Sequence, residues 1–110
     1  MPPIVKTPEP PYYAVIFTSM RTEGDHGYGQ MAREMVEMVS KMDGFCGVES
    51  LRNSAGYEIT ISYWTSLEAI KQWKEEPRHL VAQKNGKELW YKMYASRVCR
   101  VERDSFFHNS

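Results

Sequence analysis

The stretch that most constrains the fold is Tyr12 to Met20, YYAVIFTSM, a β-branched and aromatic run with no polar face. Strand alternation puts Tyr13, Val15 and Phe17 on one side and Tyr12, Ala14, Ile16 and Met20 on the other, so both sides are apolar. Such a strand needs a cover on each face. The chain's own helices can supply one cover, and the second must come from another layer.

The other elements are set by local pattern. Met1 to Pro11 holds most of the chain's prolines and reads as an arm lying on the surface or on a partner. Arg21 to Gly29 is a polar, glycine-rich loop that could close over a pocket mouth, with Asp25 as the expected N-cap of the first helix. Tyr28, Met31, Ala32, Met35, Val36, Val39 and Met42 recur at helical spacing, a stripe that suits core packing, and Asp43-Gly44 supplies the stop. Phe45 to Arg52 and Tyr57 to Trp64 read as strands joined by a turn at Asn53 to Gly56. Thr65-Ser66-Leu67-Glu68 has the form of a capping box with Thr65 as cap, opening a helix that carries Leu67, Ile70 and Trp73. Pro77 ends that helix and starts a shorter one reaching Gly86, with His79 and Gln83 one turn apart. Leu89 to Phe107 gives the last strand, centred on Tyr91 to Val101 and preceded by one further helical turn.

This order, βαββαβ, predicts an α+β fold of the ferredoxin-like split βαβ type, a four-stranded antiparallel sheet with its helices on one face. Residues 12–107 form the single domain, 1–11 the arm and 108–110 a tail. The bare sheet face would leave a large apolar patch on a monomer, which predicts sheet-to-sheet homodimerisation. Cys46 and Cys99 fall on opposite edge strands, too far apart for a bridge, and read as reduced thiols rather than metal ligands.

Fourteen basic and fourteen acidic residues balance, so no overall field draws in nucleic acid or an anionic membrane. No window reaches the roughly 18 apolar residues of a membrane span, and the N-terminus lacks a signal-peptide pattern. A cytoplasmic location is expected.

YYAVIFTS, KMDGFCGVES, ITISYWTSLEAIKQWK and WYKMYASRVCRVER together resemble the antibiotic biosynthesis monooxygenase family of dimeric α+β barrels, over about Tyr12 to Phe106. The hallmark is a strand ending in Tyr-Trp, then Ser, an amphipathic helix and a second Trp. The resemblance implies a monooxygenase that uses O2 and a small aromatic or polyketide-like substrate, without flavin, haem or metal. The polyketide oxygenases of this family carry an Asn and a Tyr where this chain has Thr60 and Ile70. Haem-degrading relatives carry a ligand His where Gln83 stands, whereas Trp73 matches their porphyrin-ruffling Trp; haem is the alternative cofactor. A non-catalytic binding module of the same fold is the other alternative.

Within that frame Trp64, Trp73, Thr60 and Arg97 are the expected substrate-facing residues, and His79 and Gln83 the catalytic pair. His79 would act as general base and Gln83 would orient an oxygen atom. Each has a plainer reading: Trp64 as a corner plug, Trp73 as core, His79 satisfied against a backbone carbonyl, Gln83 solvated, Arg97 on the surface.

Overall fold

Strand β1 (Tyr12–Arg21) sits inside a four-stranded antiparallel sheet of order β2-β3-β1-β4. In this computed structural model, which describes residues 4–109, β1 is followed by α1 (Tyr28–Val39), β2 (Phe45–Arg52) and β3 (Tyr57–Trp64). Helices α2 (Leu67–Glu75) and α3 (Pro77–Asn85), a π-helical turn at Gly86–Trp90 and β4 (Tyr91–Val101) complete the chain. The first three residues of the arm and Ser110 of the tail lie outside the described residues.

Register fixes the two faces. Tyr13 lies opposite Trp64 and Arg100, and Phe17 opposite Thr60 and Ser96, on the side that carries the helices. Here Val39, Trp64 and Ala69 are buried, with Tyr13, Val15, Met42, Phe45, Ile70 and Trp73 packed around them. Ile16 lies opposite Ile61 and Arg97 on the other side, where Ile59, Leu51 and Met93 are exposed at 43%, 82% and 68%.

Both helix starts depart from the expected caps. Gly27, at φ +84, is the residue before α1, and Asp25 acts from farther upstream, its two oxygens accepting from Gly27 N and Gly29 N at 3.1 Å each. The α2 cap is Ser66, whose Oγ accepts from Ala69 N at 3.1 Å, rather than Thr65. The reason is tertiary: Thr65 N donates to Gly44 O at 2.8 Å, which holds Thr65 on the strand side of the corner. Gly44 is forced into this role by φ +85 and by space, since a Cβ there would stand 2.6 Å from Ala69 Cβ.

Between α2 and α3, Glu76 is extended, as the residue before a proline tends to be, and its carboxylate accepts from His79 N at 3.0 Å. The arm lies on its own sheet: Val5 is 8% exposed, its side chain rests on Gly47, and its N–H donates to Glu49 Oε2 at 2.9 Å. On the tail side, Tyr12 OH donates to Asp104 Oδ2 at 2.7 Å. Both terminal segments therefore cover one end of the face that lacks helices. Cys46 and Cys99 are free, on the two edge strands.

Candidate functional site

The α2–α3 joint brings Trp73, His79 and Gln83 together. The His79 imidazole stacks on the Trp73 indole at 4.2 Å between centroids and 15° between planes. His79 Nδ1 lies 2.8 Å from Trp73 O. A carbonyl only accepts, so Nδ1 carries the proton and Nε2 keeps its lone pair. Burial lowers the His79 pKa from its usual 6.5, against opposing pulls from the Trp73 carbonyl and the Glu76 carboxylate. The result is a neutral, fixed imidazole with one basic nitrogen.

Gln83 is placed differently from its expected role. Its Nε2 donates to Lys74 O at 2.9 Å, stapling α3 to the last turn of α2. The 3.4 Å approach of the same nitrogen to His79 Nδ1 sets two donors side by side, since Nδ1–H already points at Trp73 O. The Gln83 amide is thus committed to the backbone.

Trp64 is 1% exposed, packs edge-on to Phe45 at 5.3 Å, and donates its indole N–H to Ser62 Oγ at 2.9 Å. It plugs the strand–helix corner, with no N–H left for a ligand. The expectation that Arg97 faces the cavity needs correction. Its register partner Ile16 belongs to the helix-free face, and Arg97 is exposed there.

Thr60 sits on the helix side, half-buried, within a polar network that the motifs of the sequence do not reveal. Its Oγ1 is 3.0 Å from Ser50 Oγ, which donates to Glu58 Oε2 at 3.3 Å, while Tyr28 OH donates to Glu58 Oε1 at 3.1 Å. Beside them Ser19, opposite Glu58, is 2% exposed and its hydroxyl has no partner among the described residues. Phe17, Tyr91 and Tyr94 form the adjoining aromatic wall, Phe17 lying 5.1 Å from Tyr94 and 5.4 Å from Tyr91. Burial pushes the Tyr91 hydroxyl up from its usual range. The signal was present in β3: its apolar set, Tyr57, Ile59, Ile61 and Tyr63, faces away from the helices, and its polar set, Glu58, Thr60 and Ser62, faces them. Polar residues turned toward the helix side of a sheet stay there by pairing with one another and with neighbouring hydroxyls.

The loop before α1 is anchored at this end. Thr22 N donates to Trp90 O at 2.8 Å, Thr22 Oγ1 to Leu89 O at 2.6 Å, and Trp90 Nε1 to His26 O at 2.9 Å. On the helix-free face a groove of about 730 Å³ runs past Val5, Tyr12, Glu49, Leu51, Tyr63 and Phe106, and contains none of Thr60, Trp64, Trp73, His79, Gln83 and Arg97. Within it Tyr63 OH donates to Glu49 Oε1 at 2.7 Å, and burial, with that carboxylate, pushes the Tyr63 pKa up to about 12. No group of three or more His, Cys, Asp or Glu side chains able to hold a metal occurs among the described residues. No helix among them is long and apolar enough to cross a membrane.

Known proteins resemble this chain both in sequence and in fold. The uncharacterized protein YqjZ of Bacillus subtilis (strain 168) is 48% identical over 105 residues, covering 96% of this chain and 92% of that protein. A variant of SnoaB, described as a cofactor-independent oxygenase from Streptomyces nogalater, superposes with a TM-score of 0.72 at 12% identity, over 86% of this chain and 95% of that one. Rv0793 from Mycobacterium tuberculosis does so at 0.71 and 18% identity, over 86% and 97%. At these identities the superpositions establish the shared fold. Residues 11–85 match the family described as antibiotic biosynthesis monooxygenase, and the chain belongs to that family.

Proposed function

We propose that the protein is a cofactor-independent oxygenase of a small aromatic or polyketide-like compound bearing an ionisable hydroxyl, bound between the sheet and the helices. The observation that carries this reading is His79, oriented by Trp73 O and stacked on the Trp73 ring so that Nε2 keeps a free lone pair. In the proposed reaction Nε2 takes the hydroxyl proton, and the resulting anion gives one electron to O2. Recombination of the radical pair forms a carbon–oxygen bond. Loss of the ring proton and cleavage of the oxygen–oxygen bond then release water and leave a quinone, so one oxygen atom enters the product and the other leaves as water.

The apolar row of Ile16, Ile59 and Ile61 on the helix-free face supports a homodimer in which a second copy supplies the missing cover. A cytoplasmic location fits this reading. Gln83 argues against the haem alternative. Gln83 holds the place of the ligand, its amide is tied to Lys74 O, and a carboxamide is no substitute for an axial imidazole.

O2 uptake by the pure protein with a panel of hydroxyarenes tests the proposal. Uptake above buffer, abolished in His79→Ala, is expected; no uptake with any member, or full uptake in that variant, refutes it. A second reading, binding without turnover, is favoured by the commitment of Gln83 to the backbone, and saturable binding with no uptake would select it.

A further inference from the structure

One row across the helix-free face runs from an acid to a base. The register lines up Glu49 on β2, Ile61 on β3, Ile16 on β1 and Arg97 on β4, edge to edge. The two charges stand three strand spacings apart, about 14 Å, too far to pair within one chain. Arg97 is exposed, and neither charge joins an ion pair among the described residues. Glu49 is already oriented: Val5 N donates to Oε2 and Tyr63 OH to Oε1, one donor on each oxygen. Each oxygen keeps a further lone pair. The carboxylate borders the 730 Å³ groove, so a cation can reach it from outside the chain.

We propose that this cation is the Arg97 guanidinium of a second copy of the chain, and that two such Glu49–Arg97 ion pairs set how the sheets of a homodimer stack. This rests on the homodimer proposed above and names the contacts that orient it. A two-fold axis between stacked sheets can run along the strands or across them. Along the strands it turns the row end for end, so Glu49 meets the partner's Arg97 and Ile61 meets the partner's Ile16, each contact occurring twice. The next row holds Leu51, Ile59, Thr18 and Ala95. The same turn sets Leu51, 82% exposed, over Ala95, and Ile59 over Thr18, large against small. Across the strands, each strand would lie on its own copy and neither charge would meet its opposite. Stacked sheets lie about 10 Å apart, a gap that an arginine and a glutamate bridge from its two sides. The planar guanidinium suits a carboxylate that is held in place, and the central isoleucines keep water from the pairs.

Sedimentation equilibrium of charge variants, with folding checked by circular dichroism, tests the pairing. Arg97→Glu puts two like-charged contacts into each dimer and should raise the dimer dissociation constant by about 100-fold or more. Glu49→Lys should do the same. An equimolar mixture of these two variants should recover the dimer, because every contact in the mixed pair again joins opposite charges; a fold defect in one chain would give no such rescue. Glu49→Gln, which keeps an acceptor for Val5 and Tyr63, should weaken the dimer about tenfold. Asp104→Asn, which neutralises the other carboxylate of the groove, should leave it unchanged. A dimer indifferent to Arg97→Glu, a mixture of folded variants that associates no better than either alone, or equal weakening by Asp104→Asn and Glu49→Gln would overturn the pairing and leave the homodimer standing. Should Glu49→Lys not fold, Arg97→Glu and Glu49→Gln decide the matter. A wild-type monomer would remove the homodimer itself, and the pairing with it.

Discussion

Replacing Trp64 by alanine separates a structural tryptophan from a ligand-lining one. The side chain is 1% exposed, lies 5.3 Å from Phe45 between ring centroids, and packs in the cluster with Val39 and Ala69. Truncating so large a buried ring costs about 3–5 kcal/mol, transfer and cavity contributions together. The partner substitution Ser62→Ala leaves the ring but strands its N–H, which donates to Ser62 Oγ at 2.9 Å. That costs about 1–3 kcal/mol, the desolvation of one unpaired donor. For a domain of this size each kcal/mol lowers Tm by about 4 °C, so Trp64→Ala should lose about 12–20 °C and Ser62→Ala about 4–12 °C. Urea unfolding followed by circular dichroism, at one fixed protein concentration so that association does not enter the comparison, yields both values from the midpoint and slope. A loss below about 1 kcal/mol for Trp64→Ala, with the slope unchanged, would refute the reasoning: the indole would then line a space that water or ligand can fill.

Gly44→Ala should destabilise by about 2–4 kcal/mol, since φ is +85 and the new Cβ would stand 2.6 Å from Ala69 Cβ. Gly27→Ala, at φ +84 with no atom within 4 Å, should cost only about 1–2 kcal/mol; equal urea midpoints for the two would remove the steric half of the reasoning. Burial holds the folded His79 below 6.5, so on acidification the unfolded chain takes up this proton first. Stability should therefore fall as pH drops from 6.5 through the folded value and level off below it, and His79→Gln should flatten that limb. The same group predicts that kcat/KM rises with pH to a plateau with its midpoint below 6.5, and a midpoint above 6.5 would contradict the assignment. Sedimentation equilibrium at micromolar concentration should give twice the 12.8 kDa chain mass, falling to one chain for Ile61→Asp; a wild-type monomer would remove the case for a covered second face.

The fold was legible where pattern and burial agree. Tyr12 to Met20 declared two apolar faces, and the register confirms them. Asn53 to Gly56 announced a turn, and Asn53 Oδ1 closes it by accepting from Ala55 N and Tyr57 N. What stayed hidden depends on contacts distant in sequence. The α2 cap moved by one residue because Gly44 O claims Thr65 N. Val5 settles on Gly47 because a glycine opposite the arm leaves it room, a match that no local window contains.

The candidate site was legible only in part. Trp73 and His79 meet because a proline-restarted helix folds back on its predecessor, which the Glu76-Pro77 pair announced. Gln83 shares their helix face, yet its amide finds the nearer Lys74 carbonyl. Arg97 depended on which side of β4 faces the helices, and a strand with charged or exposed residues at every second or third position does not say. Thr60 was singled out by the family resemblance, but its neighbours Glu58 and Ser50 carried no such mark. Only the sheet order and the position of Tyr28 turn their face toward the helices.

The central claim is that this chain's own side chains, with a bound hydroxyarene and O2, suffice for oxygen insertion. Heavy-isotope dioxygen supplied to chelator-dialysed protein tests it most directly, with products read by mass spectrometry. The account predicts one labelled oxygen atom in each product molecule, the other appearing in water, and none of either with His79→Ala. Unlabelled product, or label that enters only after a metal or flavin is added back, would contradict it.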